Sequence, residues 1–360
     1  MNRISFLKKL DGVVGPFLSR LFPVTSSVGS LLRDVQRILI IRPGGIGDAV
    51  LLVPTILALK KAWPQADIDV LAEKRNVGVF ALCPHLAQVY VYDSFCDWPK
   101  FCFKKYDLIV DTEQWHYLSA LIARLIRAHW RCGFATNSRK RLFSHVVCYS
   151  HRDYEAHSFF HLLDVLNVPH PASPEIPYLE VSPEDRHVVD EFLTQVSQPF
   201  VTLFPGASIP ERRWPVERFR QIANFCREEG YGVVVVGGHQ DRQAASRVLS
   251  DGAGLNLAGE LTLAQSTAVL ARSDLLLSGD SGVLHLAVGI GCKTVSLFGP
   301  GIAKKWAPTG QGHNVVNLQL PCSPCTRFGT TPSCPDQAKC IQGITVDMVK
   351  DEVVSLLIRG

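Results

Sequence analysis

The chain has 360 residues, of which 47% are hydrophobic and 19% charged, with a formal net charge of +4. That length and balance exclude a disordered chain and suit two cores better than one, while the lack of any internal period excludes a repeat array. No apolar stretch is long enough to cross a bilayer, because the run from Val50 to Leu59 stops at Lys60 and Lys61.

Eleven cysteines would suit a secreted chain, yet the N-terminus lacks the uninterrupted apolar segment of a cleavable signal, so the thiols are expected to be reduced. In residues 1–35, Phe6, Leu10, Val13, Val14, Phe17, Leu18 and Leu21 recur at helical spacing, with Arg3, Lys8, Lys9 and Arg20 mostly off that face. The pattern predicts a basic amphipathic helix, kinked at Pro16 and ended by the segment Pro23 to Ser27. It lies either in an anionic membrane surface or against protein.

From Arg37 the sequence alternates short β-branched runs with helical segments, the pattern of parallel βαβ units. A first Rossmann-like domain is expected over 36–170, with strands at 37–41, 68–71, 89–92 and 108–111 and helices at 48–62, 117–128 and 154–166. A proline-rich linker region over 171–198 follows. A second Rossmann-like domain over 199–345 has strands at 200–204, 233–236, 274–277 and 294–298, and helices starting near Pro215, Asp241, Thr262 and Ser281. A C-terminal helix occupies 346–360. The fold class is therefore α/β, with two Rossmann-like domains facing each other across a cleft, and function belongs in the loops beyond the strand ends.

The first such loop reads Arg42-Pro43-Gly44-Gly45-Ile46-Gly47-Asp48. Gly45 and Gly47 let backbone approach a ligand, but Val50 stands where a dinucleotide fingerprint needs its third glycine, which argues against nicotinamide cofactors. Asp48 is either a favourable charge at a helix start or a general base. The second loop, Pro205-Gly206-Ala207-Ser208 followed by Glu211-Arg212-Arg213-Trp214-Pro215, places two guanidinium forks where they suit a diphosphate. In the third, Ser278-Gly279-Asp280-Ser281-Gly282 through His285, the N–H groups of Ser281 and Gly282 suit an anion. Asp241, just past a strand in Gly237-Gly238-His239-Gln240-Asp241, is placed to bind ribose hydroxyls.

Three ordered motifs, RPGGIGDAVLLVPTILALK, FPGAS with ERRWP, and SGDSGVLHLAVGIGCKTVSLFGP, make the chain from Arg37 to Leu357 resemble glycosyltransferase family 9, the ADP-heptose:lipopolysaccharide heptosyltransferases. The resemblance implies a GT-B fold and an inverting single displacement with no obligatory metal or other cofactor in the chemical step. It implies a heptose passed from ADP-heptose, as donor substrate, to Kdo or heptose of the lipopolysaccharide inner core. A transferase using another nucleotide sugar, or a non-catalytic glycan-binding scaffold, is the alternative. Asp48 matches the family's base. Ser208 and Arg212 match positions facing the donor diphosphate and sugar, and Asp280 an acid near that sugar. Ser281, Gly282 and His285 match the phosphate-facing motif, and Asp241 the ribose acid. Arg212 stands where some relatives have lysine, which keeps the charge but changes its geometry.

Between Arg124 and Arg152 the chain carries Arg124, Arg127, Arg131, Arg139, Lys140, Arg141 and Arg152, with no Asp or Glu. This window suits the phosphates and carboxylates of an anionic glycolipid acceptor, or the membrane bearing it, and Arg139, Lys140 and Arg141 are the expected acceptor contacts. Nucleic acid is not expected, since aromatic interleaving and a recognisable module are lacking. The expected location is cytoplasmic, peripheral on the cytoplasmic face of the bacterial inner membrane. Cys322, Cys325, Cys334 and Cys340 form a four-thiol cluster that reads as a reduced loop, a disulfide or a structural zinc site, the first two being favoured.

Overall fold

The structure, a computed structural model, describes residues 3–25, 34–94, 96–327 and 329–357, with side chains from residue 11 onward. It divides into two compact units, Met1–Glu175 and Ile176–Gly360.

The first unit contains α1 (Arg3–Leu21), β1 (Arg37–Arg42), α2 (Ile46–Ala62), β2 (Asp67–Ala72), β3 (Gln88–Val91), α3 (Trp98–Cys102), β4 (Lys105–Asp111), α4 (Tyr117–Leu125), β5 (Arg127–Phe134), β6 (His145–Val147) and α5 (Glu155–Asp164). Helix α1 runs through Pro16, while Ser26 and Ser27, expected to help end it, lie outside the described residues. The six strands form one parallel sheet in the order β3-β2-β1-β4-β5-β6. The strand β1 is buried at every position after Arg37, and this is why it reads as a continuous apolar run rather than an alternating one. Helix α2 is buried from Ala49 to Ile56 and packs against α5, so its apolar residues surround it instead of forming a stripe.

The helix expected over 117–128 is shorter. Helix α4 stops at Leu125, and β5 begins at Arg127. Arg131, on β5, donates to the carbonyls of Ala123 and Ile126, satisfying acceptors at the α4 C-terminus, and to that of Ala128 in its own strand.

The second unit contains α6 (Pro183–Leu193), β7 (Phe200–Phe204), α7 (Val216–Glu228), β8 (Gly232–Val235), α8 (Arg242–Val248), β9 (Leu255–Asn256), α9 (Leu263–Arg272), β10 (Leu275–Gly279), α10 (Gly282–Ile290), β11 (Thr294–Phe298), α11 (Ala303–Trp306), β12 (His313–Asn317), α12 (Lys339–Gln342) and α13 (Val346–Leu357). Its parallel sheet runs β12-β11-β10-β7-β8-β9. Much of the region expected as a linker belongs here. The Tyr178 N–H donates to the Gly289 carbonyl at 2.8 Å, and α6, capped by the Ser182 hydroxyl, packs on α9. Buried Trp214 donates its indole N–H to the Ile344 carbonyl at 3.0 Å, which fastens the loop after β7 to the segment before α13.

In each unit the chain enters at a central strand, lays two strands to one side, then crosses to place three on the other. The order reverses between β1 and β4 in the first unit, and between β7 and β10 in the second. Such switch points open a crevice beyond the strand ends, because the flanking connections leave in opposite directions.

Candidate active site

In the first unit the β1 end carries Arg42, which is 1% exposed. Its Nη1 donates to the Thr112 carbonyl at 2.9 Å and its Nε to the Pro43 carbonyl, so the guanidinium is locked beneath its own loop. The remaining nitrogen, Nη2, lies 3.8 Å from Asp48 Oδ2 and 3.9 Å from Glu113 Oε2. Gly44 makes this possible: its φ is +111°, and a Cβ there would stand 2.7 Å from Nη2. Gly45 is the N-cap of α2, and a Cβ on it would meet nothing within 4 Å. Gly47 follows in the first turn, and Asp48, 28% exposed, is the acid of that turn.

Beyond β4 lies buried Glu113. Burial works to raise its carboxyl, but the charges of Arg42, His116 and Arg139 and the Trp115 N–H outweigh it and hold the group below the usual carboxylate range. Tyr149 donates to the Glu155 carboxylate at 3.0 Å. Burial, then the charges of Glu155 and Asp48, push the Tyr149 hydroxyl far up, so it stays a proton donor. Arg42, Glu113, Tyr149 and Glu155 were not among the expected site residues. Glu113 follows a strand end by two positions, which is the one signal that could have found it.

The expected acceptor contact Arg139 requires correction. It is fully buried, pairs with Asp111 at 2.6 Å, and donates to the Glu113 carbonyl and to Ser119 Oγ. Its charge is committed to the interior, and Arg131 is likewise spent on α4. Lys140 is exposed and Arg141 half-buried.

In the second unit the loops after β7 and β10 meet. Arg212 Nη1 lies 3.0 Å from Asp280 Oδ2, with side chains 16% and 8% exposed. A Cβ on Gly301 would collide with that same carboxylate oxygen, so the loop after β11 shapes the pair. Ser281 is the N-cap of α10: its hydroxyl accepts from the Leu284 N–H and lies 2.8 Å from Ser278 Oγ. Gly282 opens that helix, and His285 is buried in its first turn. Ser208 and Arg213 are exposed, with Arg213 Nη2 donating to the Ala207 carbonyl at 3.3 Å.

Asp241 is buried, and its Oδ2 accepts from the Gly238 N–H at 2.9 Å. A Cβ on Gly206 would stand 2.6 Å from its Oδ1, so the carboxylate braces the loops after β7 and β8 against each other. The four clustered cysteines are free thiols, and among the described residues no group of three or more His, Cys, Asp or Glu is placed to hold a metal ion.

A family model described as glycosyltransferase family 9 (heptosyltransferase) matches residues 98–334. Lipooligosaccharide heptosyltransferase 2 of Haemophilus ducreyi is 25% identical over 314 residues, covering 79% of this chain and 89% of that one. Lipopolysaccharide heptosyltransferase 2 of Escherichia coli is 29% identical over 150 residues, which span 39% of this chain and 43% of the relative. Among solved structures, E. coli ADP-heptose LPS heptosyltransferase II superposes with a TM-score of 0.73 at 23% identity, covering 90% of this chain and 99% of that one. E. coli heptosyltransferase WaaC with ADP-2-deoxy-2-fluoro heptose gives a TM-score of 0.66 at 17% identity, covering 88% and 99%. The two doubly wound sheets are thus those of a GT-B fold, and the chain belongs to glycosyltransferase family 9, the heptosyltransferases.

Proposed function

We propose that this glycosyltransferase transfers a heptose from ADP-heptose, with inversion, to a Kdo or heptose residue of the lipopolysaccharide inner core. The observation that carries the reading is the chemistry at the two switch points. One holds a partly exposed carboxylate, Asp48, and the other a cation, Arg212, beside the free N–H groups of a helix start.

Asp48 accepts the proton of an acceptor hydroxyl whose oxygen attacks the anomeric carbon, while the bond from that carbon to the diphosphate oxygen breaks on the opposite face. Positive charge develops on the sugar ring and negative charge on the leaving ADP. Arg212, Arg213 and the Ser281 and Gly282 amides meet the latter, and Ser208 lines the same loop. Asp280 orients Arg212 and stands beside the donor sugar. Asp241 keeps the ribose-side loop in shape and offers Oδ1 to the ribose. Gly45 and Gly47 leave room for substrate over the start of α2. Lys140 and Arg141 supply charge for an anionic acceptor. Such an acceptor places the enzyme on the cytoplasmic face of the inner membrane, and no helix among the described residues is long and apolar enough to cross one.

The test is nucleotide release from ADP-, UDP- and GDP-sugars with and without a lipopolysaccharide core acceptor. Acceptor-dependent release of ADP from ADP-heptose is expected. Faster release from another nucleotide sugar would replace the donor, and acceptor binding with no release from any donor would favour a glycan-binding scaffold.

A further inference from the structure

Helix α1 is built onto the first unit by its narrow polar side. The Asp11 carboxylate accepts from the Tyr117 N–H at 2.9 Å and the Leu118 N–H at 2.8 Å, with His116 Nδ1 at 3.3 Å, so it satisfies orphan donors at the start of α4. One turn on, buried Gly15 lets the two helices touch, since a Cβ there would collide with Tyr117. A further turn on, Ser19 is buried, and Phe22 lies under the Arg124 guanidinium at 5.3 Å. Finally the Thr25 N–H donates to the Arg141 carbonyl at 3.1 Å.

Positions 11, 15, 19 and 22 share one side of a helix, so the opposite side points away from the unit. That side is apolar and uncovered: Val13 is 77% exposed, Phe17 63% and Leu21 65%. On α4, Leu118 and Leu125, seven positions apart, are exposed at 50% and 67%. Exposed apolar side chains gathered on two helices that pack together mark an interaction surface. The surrounding charge identifies it. Residues 1–25 contain four basic residues and one acid, and that acid is Asp11, which is turned inward. Arg20 and Arg127 are exposed, and residues 116–131 contain no acid at all. A second copy of the chain would set these cations against one another with nothing to neutralise them. A bilayer with anionic headgroups satisfies both the apolar face and the charge.

We propose that α1, latched to α4 through Asp11, forms with it a docking face for an anionic lipid bilayer. The inference rests on the reading that the acceptor is a membrane-borne glycolipid, and it names the surface that brings the enzyme to it. Its length and apolar face make α1 an interfacial helix, and the latch makes it a fixed part of the unit rather than a free tether.

The test is sedimentation of the full chain with phosphatidylcholine vesicles, with and without phosphatidylglycerol, alongside Phe17→Asp/Leu21→Asp and Arg20→Glu. The parent should bind anionic vesicles at least about tenfold more tightly than neutral ones, with partial loss at high salt. The double variant, altered only at exposed positions, should lose about tenfold or more on anionic vesicles while releasing nucleotide normally with a short soluble acceptor. Arg20→Glu should lose a smaller part. Equal sedimentation of parent and double variant would overturn the proposal, as would a parent dimer in size-exclusion chromatography that the double variant converts to monomer without changing vesicle binding. Failure of the transferase reading would show separately, as absent nucleotide release by the parent on the soluble acceptor.

Discussion

The Arg42 guanidinium reaches Asp48 across the bare α-carbon of Gly44, with Nη2 3.8 Å from the carboxylate and 3.9 Å from Glu113. Two of its nitrogens are bound to backbone carbonyls, so the third is held toward both acids. If Asp48 is the base, Asp48→Asn should lower turnover by at least about 100-fold while leaving donor affinity nearly intact. Steady-state kinetics with ADP binding measured in parallel checks this, and near-normal turnover would remove Asp48 from the chemistry.

The pair Arg212–Asp280 should be sensitive to a group that touches no substrate. Gly301→Ala places a methyl where Asp280 Oδ2 now lies, so the carboxylate and with it Arg212 must shift. We expect weaker ADP binding and slower turnover, in the same direction as Arg212→Ala but smaller. Calorimetric titration with ADP decides it, and unchanged affinity in both variants would assign Arg212 to a structural ion pair.

Arg139 should matter to stability and Lys140 should not. Arg139→Met strands Asp111 in the interior, and loss of one partner of a buried pair costs about 3–5 kcal/mol. The lower end is expected. Although Arg139 is 2.6 Å away, burial outweighs it and already raises the Asp111 carboxyl, so Asp111 can take up a proton in the variant. Urea unfolding measures the difference. Lys140→Met, at an exposed position, should stay within about 0.5 kcal/mol of the parent and instead raise KM for an anionic acceptor.

Burial works to raise the Asp11 carboxyl, but hydrogen bonds from His116 and from the Tyr117 and Leu118 N–H groups outweigh it and lower the group. A carboxyl depressed by folding contributes stability that is complete above its unfolded value, about pH 4, and is lost as pH falls through the lower folded value. The Tm difference between parent and Asp11→Asn should therefore be larger at about pH 5 than below about pH 4, where it should shrink. Melting curves across that range check it, and a gap that persists into acid would mean that the carboxylate charge is not what latches α1.

Local pattern was enough to read both sheets' central strands, the loops that follow them and the family motifs. A strand buried on both faces must be a short β-branched run, and a loop that lets backbone approach an anion must carry glycine where its chain turns. Arg212 and Asp280 follow strands in such loops and Asp48 opens the helix after one, so their places beyond the strand ends were legible. Strand β5 and the edge strands β6, β9 and β12 were not, because they are only partly buried and their mixed composition reads as readily as loop or helix end.

The basic window shows most directly what sequence leaves open. Seven cations without an acid between Arg124 and Arg152 look alike in one dimension, yet Arg139 is spent on Asp111 and Arg131 on three carbonyls between Ala123 and Ala128, while Lys140 and Arg127 face water. Asp11 and Glu113 were equally silent, since Asp11 binds Tyr117, 106 positions on, and Glu113 pairs with Arg42, 71 positions back. The sequence by itself determined the fold class, the family and the loops beyond the strand ends, because those follow from periodicity and from glycine and charge at strand ends. Only the tertiary structure decided which charges are spent inside and which face water, because that depends on partners brought together by folding and not on neighbours along the chain.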